Sequence, residues 1–248
     1  MLVLSSVQNP KVKQARSLAT RKGRQAAGLF LVEGTKLMAE ALAWGRIPTM
    51  TFATAAWWAD HPGIPGETYE VPDAILAALA TTETPDPVVG VFPLQPEPAL
   101  PGGLVVVAHK LQDPGNLGTI IRSADAAGAA AVVITPDTVD PYSPKAVRAS
   151  MGSLFHLPVV RMPLAGFRAA WRGPLYAMTL DGAGSLYAFD FRGDVAFLIG
   201  NEGAGLGAED AAIADHRVMI PMTGHAESLN AAMAATICLF EAARQRIV

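Results

Sequence analysis

The chain has 248 residues, of which 51% are apolar, and a formal net charge of −3. There is ample apolar material for a core, and the overall charge is not typical of a nucleic-acid-binding protein. The single cysteine, Cys238, excludes an intramolecular disulfide framework and a Cys-rich zinc site, and it fits a reducing cytoplasm. The five histidines lack metal-ligand spacing, so we expect no metal. The N-terminus is not typical of a signal peptide, and no apolar run reaches the roughly 20 residues of a membrane span. We therefore expect a cytoplasmic protein without a membrane partner.

The N-terminal part of the chain alternates helix and strand patterns. Asn9 and Pro10 are typical of a helix start, and the apolar spacing from Val12 to Ala19 continues a helix. Strands are predicted at 28–34, 50–56, 67–71 and 88–92, and helices at 35–45 and 73–80. These patterns predict a small α/β/α domain over residues 1–95. The stretch PLQPEPALPGG (93–103) has too many prolines for a helix or a central strand, so we interpret residues 96–103 as a linker.

The C-terminal part, residues 104–248, repeats strands and helices. Apolar strands are predicted at 104–108, 131–135, 157–160, 175–180, 195–200 and 216–221. Helices are predicted over about 117–127, from Ser143-Pro144 onward, and in a long final segment. Continuous apolar strands separated by helices predict an α/β fold with a mostly parallel sheet and helices on both faces. Ligands of such sheets bind beyond the carboxyl ends of the strands.

Three predicted loops at strand ends carry the unusual polar residues of the chain. The first, HKLQDPGNLGTIIR (109–122), contains a tight turn, Asn116 and Arg122. The second, GNEGAGLG (200–207), holds Glu202 among glycines, and the third, MTGHAESLN (222–230), ends in Ser228 and Asn230. The glycine loop does not have the spacing of a dinucleotide fingerprint or a phosphate-binding P-loop. No nucleophile elbow surrounds Ser228, which argues against a hydrolase.

Each loop also has an explanation that involves no function. An Asx residue before a helix is an ordinary cap, which accounts for the DPGN turn and for either Ser228 or Asn230. Glu202 is either a hydrogen-bond anchor or a general base. The basic run Lys11–Arg24 is either a phosphate-binding patch or a solvated helix face.

Taken together and in this order, the three loops resemble the signature motifs of the SpoU (TrmH) family. The segments that carry the resemblance are NLGTIIRSADAAG (116–128), FLIGNEGAGL (197–206) and IPMTGHAESLNAAMAATICLFEAARQR (220–246). Residues 5–42 are also similar to the family's small substrate-binding domain. The family comprises RNA ribose 2′-O-methyltransferases that use S-adenosylmethionine, in the SPOUT superfamily.

The resemblance implies a C-terminal domain with a deep trefoil knot, a homodimer formed through that domain, and an N-terminal domain similar to RNA-binding ribosomal proteins. The implied substrate is ribosomal RNA, with transfer RNA as the other possibility. It implies cofactor contacts at Leu198, Gly200, Ile220, Met222, Ser228 and Leu229. It implies catalytic roles for Asn116, Arg122, Glu202, Ser228 and Asn230. It implies RNA contacts at Lys11, Lys13, Arg16, Arg21, Lys22, Arg24, Lys36 and Arg148.

Two other functions remain open on the sequence. One is an RNA-binding or ribosome-assembly protein without catalysis, against which the intact motif residues argue. The other is a nucleotide-dependent oxidoreductase, which the α/β pattern and the glycine loops alone suggest.

The family's proposed base, matched by Arg122, is chemically awkward because the pKa of an arginine exceeds about 12.

Overall fold

The computed structural model describes residues 1–180 and 184–247, and the chain forms two compact units. The N-terminal unit comprises Met1–Pro96 together with Asp140–His156. The C-terminal unit comprises Glu97–Val139 and Leu157–Val248. The sequence patterns had placed the segment 140–156 with the C-terminal domain.

The N-terminal unit contains a five-stranded mixed sheet. Its strands are β1 (Leu2–Val3), β2 (Leu29–Glu33), β3 (Met50–Ala53), β4 (Glu67–Glu70) and β5 (Val88–Pro93), in the order β1-β4-β3-β5-β2. The strand β5 pairs antiparallel with β2 and β3, and the β1–β4 and β3–β4 pairs are parallel. The helices are α1 (Pro10–Ser17), α2 (Arg21–Ala27), α3 (Thr35–Ala43), α4 (Ala55–Asp60) and α5 (Asp73–Leu79).

Side-chain caps fix several element boundaries of this unit. Asn9 accepts a hydrogen bond from the Lys11 amide and caps α1, as predicted. The segment 50–56, predicted as one strand, ends as a strand at Ala53. The Thr54 hydroxyl accepts from the Trp57 amide and starts α4 instead. Apolar side chains of α1 and α5 pack with those of the sheet, so the predicted α/β character of this unit is observed.

The segment 140–156 belongs to the N-terminal unit through side-chain contacts. It contains α7 (Pro144–Ser150) and a 3₁₀ turn at Ser153–Phe155. The helix α7 packs on β2. The Tyr142 ring lies 4.9 Å from that of Phe30, measured between centroids. These contacts attach the segment to the far edge of the five-stranded sheet.

The C-terminal unit contains a seven-stranded sheet whose pairs are all parallel over the described residues. Its strands are β6 (Leu104–Ala108), β7 (Ala131–Ile134), β8 (Val159–Arg161), β9 (Leu175–Met178), β10 (Gly184–Ser185), β11 (Val195–Ile199) and β12 (His216–Met219). The order is β10-β12-β9-β11-β6-β7-β8. The helices are α6 (Pro114–Ala126), α8 (Leu164–Ala170), α9 (Ala208–Ala212) and α10 (Ala231–Arg246), and a 3₁₀ turn spans Leu186–Ala188. The predicted parallel sheet is thereby confirmed.

Both faces of this sheet are covered by helices. Val105 and Val107 of β6 share a core cluster with Phe167 of α8. Val106 lies between them and is equally buried, and alternation along the strand turns it to the opposite face. The helices α6 and α10 pack against each other and on β6. The helices therefore form the two outer layers of the predicted α/β architecture.

The helix α6 begins earlier than its apolar pattern suggested. The pattern predicts a start near Leu117, whereas the helix starts at Pro114. The carboxylate of Asp113 accepts a hydrogen bond from the backbone amide of Asn116, at 2.9 Å. Proline occupies the first helical position. The DPGN segment is therefore the first turn of the helix, which fixes Asn116 on rigid backbone.

Candidate active site

The polar motif residues of the C-terminal unit meet at one edge of its parallel sheet. The strands β6 and β11 are neighbours in register, with Ala108 paired to Ile199, so the loops that follow them emerge side by side. The strand β9 lies between β11 and β12. Because all four strands are parallel, their carboxyl ends form a single edge, where ligands of such sheets bind.

Three of the predicted catalytic residues form a continuous hydrogen-bonded chain at this edge. The Asn230 side chain donates from Nδ2 to Oδ1 of Asn116, at 3.0 Å. Asn116 in turn donates from Nδ2 to Oε1 of Glu202, at 3.0 Å. These residues come from the final segment, from α6 and from the glycine loop. We call them the amide–carboxylate chain.

Glu202 is anchored as an ionised acceptor. Its carboxylate accepts hydrogen bonds from the amides of Gln112 and Asp113, both at 3.0 Å, as well as from Asn116. Partial burial raises the pKa of Glu202, but the hydrogen bonds from Asn116 and from the two amides outweigh it and lower the pKa below its ordinary value. A carboxylate held in this way orients its neighbours and is a poor proton acceptor near neutral pH.

The lowered pKa of Glu202 predicts a stability contribution that is present at neutral pH and is lost in acid. Ionisation of Glu202 is favoured in the folded chain, so its contribution is complete above the unfolded pKa of about 4.5 and is lost as the pH falls through the folded value. We expect Glu202→Gln to lower the free energy of unfolding at pH 7, and this deficit to shrink below about pH 4.5. Urea denaturation of both proteins across this range measures it. A deficit independent of pH would contradict the account.

Asn230 has two roles in the structure. Its Oδ1 accepts hydrogen bonds from the amides of Ala232 and Met233, at 2.9 and 3.3 Å, and so caps α10. Its Nδ2 is thereby directed to Asn116. The capping residue is therefore Asn230 and not Ser228, which is exposed and lies two residues before it.

The two roles of Asn230 are separable by substitution. Asn230→Ala removes the cap and should destabilise the protein by about 1 kcal/mol, or roughly 2–4 °C in Tm. Asn230→Ser keeps a capping oxygen, so we expect its Tm to stay near that of the native protein. Both variants lose the amide donor to Asn116 and should lose turnover to a similar extent. Thermal unfolding and a turnover assay on the same samples test this. Full turnover in Asn230→Ser would show that the amide–carboxylate chain is not needed for the reaction.

Arg122 is not joined to the amide–carboxylate chain. It lies on α6 six residues after Asn116, about 9 Å further along the helix axis and on a different face. Its side chain is exposed, and within the described residues it forms no hydrogen bond or ion pair. The structure therefore leaves this guanidinium available to a ligand or to another chain.

A cavity of 210 Å³ adjoins the amide–carboxylate chain. Glu202 is part of its wall. Of the residues expected at the cofactor, those that line it are Gly200, Ile220, Met222, Ser228 and Leu229. Leu198 differs, because its side chain is fully buried in the core cluster of the sheet and does not line the cavity. The loops after β11 and β12 thus form two walls of one cavity.

A further wall comes from residues that the sequence patterns did not single out. Met178, the last residue of β9, lines the cavity together with Thr179 and Leu180, which follow the strand. Ala231 and Ala234 of α10 also line it. The segment LYAMTL was predicted as a strand, and the strand-end rule that identified the other loops applies to it equally. Only the observed order places β9 between β11 and β12, and hence its loop at the cavity.

Gly200 is required by the shape of the glycine loop. Asn201 and Gly205 exchange backbone hydrogen bonds of 3.0 and 2.9 Å, which closes a tight turn. A Cβ atom at Gly200 would lie 2.4 Å from the carbonyl carbon and oxygen of Gly205. The turn therefore closes over Gly200 only because that residue has no side chain.

Ionic contacts join α9, which directly follows the glycine loop, to the loop after β6. Lys110 Nζ lies 2.8 Å and His109 Nε2 lies 3.0 Å from the same carboxylate oxygen of Asp210, at the start of α9. The hydrogen bond from Lys110, with a smaller contribution from His109, lowers the pKa of Asp210 although burial opposes it. The Asn201 side chain also donates from Nδ2 to the Lys110 carbonyl, at 2.9 Å. The chain is therefore joined to the loop after β6 both before and after Glu202.

The cations expected to bind RNA fall into two groups in the N-terminal unit. Exposed side chains without an ion pair among the described residues are Lys13, Arg16, Arg21, Lys22 and Lys36. Lys11 is partly exposed but pairs with Glu67, at 2.7 Å. Arg148 contacts Glu33 and Thr81.

Arg24 requires a correction, because it is buried, with 3% of its surface exposed. Its guanidinium donates to Asp140 and to the carbonyls of Leu18 and Ala19. Arg24 is therefore an internal ion-pair partner and does not belong to an RNA-binding surface.

The geometry defines a class of protein, an α/β fold with a ligand cavity at the carboxyl edge of a parallel sheet and the amide–carboxylate chain beside that cavity. Within residues 1–180 and 184–247, no group of three or more His, Cys, Asp or Glu side chains has the arrangement of a metal site. Nor does any helix in those ranges have the length and apolar character needed to cross a membrane.

The comparisons with known proteins identify the family. Residues 103–240 match the SpoU rRNA Methylase family, and residues 9–90 match the MRM3-like substrate binding domain. The chain belongs to the SpoU rRNA Methylase family.

Individual proteins resemble the chain over nearly its whole length. A 23S rRNA (guanosine(2553)-2′-O)-methyltransferase of Bacillus subtilis is 34% identical, with 97% of this chain and 98% of the relative covered. A 23S rRNA (uridine(2479)-2′-O)-methyltransferase of Streptomyces viridochromogenes is 37% identical, with 93% and 88% covered. The structure of an AdoMet-bound rRNA methyltransferase from Sinorhizobium meliloti has a TM-score of 0.88 and 34% identity, and covers 100% of this chain and 99% of that one.

Proposed function

We propose that this chain transfers the methyl group of S-adenosylmethionine to a ribose 2′-hydroxyl of ribosomal RNA, in the cytoplasm. The observation that carries the proposal is the amide–carboxylate chain beside a cavity at the carboxyl edge of the sheet, in a member of the SpoU rRNA Methylase family. The relatives named as 23S rRNA 2′-O-methyltransferases support the substrate class. Transfer RNA is the alternative substrate.

The cavity fits the adenosine part of this cofactor. Its walls combine apolar side chains, such as Ile220 and Leu229, with glycine-rich backbone whose peptide groups supply polar contacts. The close approach at Gly200 brings the peptide groups of the loop together without intervening side chains. When bound, S-adenosylmethionine supplies an activated sulfonium methyl group.

The residues around the cavity would align the ribose and handle its proton. Asn116, oriented by Glu202 and Asn230, has a fixed amide beside the cavity and would position the ribose. Arg122 would donate to the adjacent phosphate or stabilise the developing oxyanion. An arginine as the base would need a relay through water or phosphate, because its pKa exceeds about 12. Ser228 lines the cavity wall beside Leu229 and would contact the cofactor.

We propose three domain-level features that follow from family membership. Residues 1–95 would select the RNA, residues 96–103 would link the domains and residues 104–248 would carry the reaction. The family matches at 9–90 and 103–240 support these boundaries. As a further family feature, the C-terminal domain would contain the deep trefoil knot, which the family match over residues 103–240 supports.

The exposed cations of the N-terminal unit would bind RNA phosphates. Lys13, Arg16, Arg21 and Lys22 cluster in α1 and α2, and Lys36 lies in the first turn of α3. Contacts of this kind supply affinity that does not depend on sequence and that weakens with salt. Lys11 and Arg148 would contribute only after exchanging their internal partners.

We also propose a homodimer that forms through the C-terminal domain. Met233 and Phe240 are seven residues apart on α10, hence on one face, and are 50% and 47% exposed. Met222 and Leu229 are also partly exposed. Arg122, which is free within the described chain, would then contribute to a site shared with the partner. Sedimentation equilibrium tests the mass: twice the mass of one chain supports the dimer, and a single-chain mass contradicts it.

Two measurements separate this function from its alternatives. Calorimetry should show heat on titration with S-adenosylmethionine, and the purified protein should transfer label from it to total RNA of a strain that lacks the gene. Binding to RNA without cofactor heat would favour a non-catalytic RNA-binding protein. Binding of NADH without S-adenosylmethionine would favour an oxidoreductase.

A further inference from the structure

The N-terminal unit contains a second cleft, of 260 Å³, that the proposed reaction does not use. Its inner wall includes the buried rings of Phe30, Phe92 and Phe155, and Ile47 and Leu94 also line it.

An exposed tryptophan stands at the rim of this cleft. Trp44 ends α3 and directly precedes the cleft residue Gly45, and 53% of its surface is exposed. One face of its ring stacks on His156, with centroids 4.0 Å apart and planes 22° apart. His156 directly follows Phe155 of the cleft wall. Both residues of the stack are thus adjacent in sequence to residues that line the cleft.

The other three tryptophans are buried and cannot contact a ligand through an exposed ring face. Trp57, Trp58 and Trp171 are 5%, 9% and 4% exposed. A large aromatic side chain that stays half exposed is typical of a contact site, since burial is otherwise favourable.

The cleft is connected to the basic helix of the same unit. The helix α2 carries Arg21 and Lys22 on exposed positions and ends at Gly28. The Gly28 carbonyl accepts a hydrogen bond of 2.8 Å from the amide of Leu94, which lines the cleft. The carboxyl end of α2 is thus hydrogen-bonded to the cleft lining, and Arg21 and Lys22 lie at the other end of the same helix.

Arg46 adds hydrogen-bond donors to the cleft lining. It donates from Nε and Nη2 to the Phe155 carbonyl, at 2.8 and 2.6 Å. A guanidinium has five N–H donors, so three remain without a partner among the described residues. A cleft with aromatic walls and a guanidinium is complementary to a nucleobase and its phosphate.

We propose that the Trp44–His156 stack and the adjoining cleft bind an unpaired nucleobase of the RNA substrate. This rests on the proposed function for the nature of the substrate. The base would stack on the exposed ring of Trp44 at the rim of the cleft, while Arg46 would contact a neighbouring phosphate. A paired base cannot enter such a slot, so the cleft would select single-stranded positions or bulges near the modified ribose.

Tryptophan fluorescence tests this inference directly, because Trp44 is the one tryptophan among the described residues that solvent reaches readily. A short single-stranded oligoadenylate should quench its emission and protect it from acrylamide, whereas a duplex of the same length should not. Trp44→Ala should abolish the signal and weaken oligoadenylate binding by roughly 5-fold to 150-fold, the effect of losing one base–aromatic stack.

Two further variants distinguish stacking from general apolar docking. Trp44→Phe keeps an aromatic face and should retain most of the affinity, while Trp44→Leu should behave like Trp44→Ala. Unchanged oligoadenylate affinity in Trp44→Ala would overturn the inference. Equal affinity of Trp44→Leu and Trp44→Phe for oligoadenylate would also overturn it. So would Trp44 emission that changes only with protein concentration, because a second copy of the protein would then be covering Trp44.

The two proposals fail in different ways. If native protein methylates RNA while Trp44→Ala keeps the same KM for RNA and the same oligoadenylate affinity, only the nucleobase cleft is wrong. If native protein transfers no methyl group to RNA, the proposed function itself is wrong. The oligoadenylate titration still decides whether the cleft binds bases in that case.

Discussion

Replacing Arg122 with alanine should lower the rate of methyl transfer by at least about 100-fold while leaving S-adenosylmethionine affinity nearly unchanged. The expected loss is that of a group acting on the proton or on the developing charge in the transition state. Cofactor affinity should persist because Arg122 does not line the cavity. Single-turnover rates with labelled cofactor, together with calorimetric Kd values, measure both quantities.

The matched control for Arg122 is lysine. Arg122→Lys keeps the positive charge but lacks the planar fork that binds a phosphate through two hydrogen bonds. We expect an intermediate rate for Arg122→Lys. The side chain is exposed and has no partner within the described chain, so neither variant should lower Tm appreciably. Turnover near that of the native protein in Arg122→Ala would remove Arg122 from the site.

Gly200→Ala should weaken cofactor binding without unfolding the protein. The added Cβ would lie 2.4 Å from backbone atoms of Gly205, so the turn must open. Overpacking of this kind costs about 1–3 kcal/mol, which corresponds to roughly 5-fold to 150-fold in Kd if the cost falls on the bound loop. Calorimetric titration with S-adenosylmethionine measures the loss.

Gly207→Ala is the matched control in the same loop. A Cβ at Gly207 would have Asp210 Oδ2 as its nearest neighbour, at 3.5 Å, which is ordinary contact. Its φ of −62° suits any residue. We expect native cofactor affinity for Gly207→Ala. Equal affinities of the two variants would show that the close approach at Gly200 does not shape the cavity.

Most elements of the fold are readable from local sequence signals. The alternation of apolar strands and amphipathic helices predicted the parallel sheet, and Asn9-Pro10 predicted the start of α1. Errors arose where a polar side chain ended or began an element. Thr54 starts a helix inside an apolar run, and Asp113 starts α6 one turn before its apolar stripe. Capping depends on one hydrogen bond, which periodicity does not report.

The candidate active site could be predicted from the sequence only in part. Asn116, Glu202 and Asn230 follow parallel strands, so the strand-end rule places them at one edge. Their connection into one hydrogen-bonded chain depends on the neighbour relation of β6 and β11, which are far apart in sequence. The sequence patterns did not identify Met178, Thr179 and Leu180 as cavity residues, because that also depends on the strand order.

Long-range pairing also explains why Arg24 was misread. A run of basic residues on two short helices is typical of a phosphate-binding surface. The partner that buries Arg24 is Asp140, 116 residues away in a segment that joins the N-terminal unit. No pattern within residues 10–24 indicates that one of the six cations is internal.

The central claim is that the methyl group goes to a ribose oxygen, and alkaline hydrolysis of labelled RNA tests it most directly. A methylated 2′-oxygen cannot attack its neighbouring phosphate, so the modified linkage resists alkali. After reaction of the native protein with labelled S-adenosylmethionine and ribosomal RNA, we predict that the label is recovered in alkali-resistant dinucleotides. Arg122→Ala should give almost none. Recovery of the label in mononucleotides, as base methylation produces, would contradict the account.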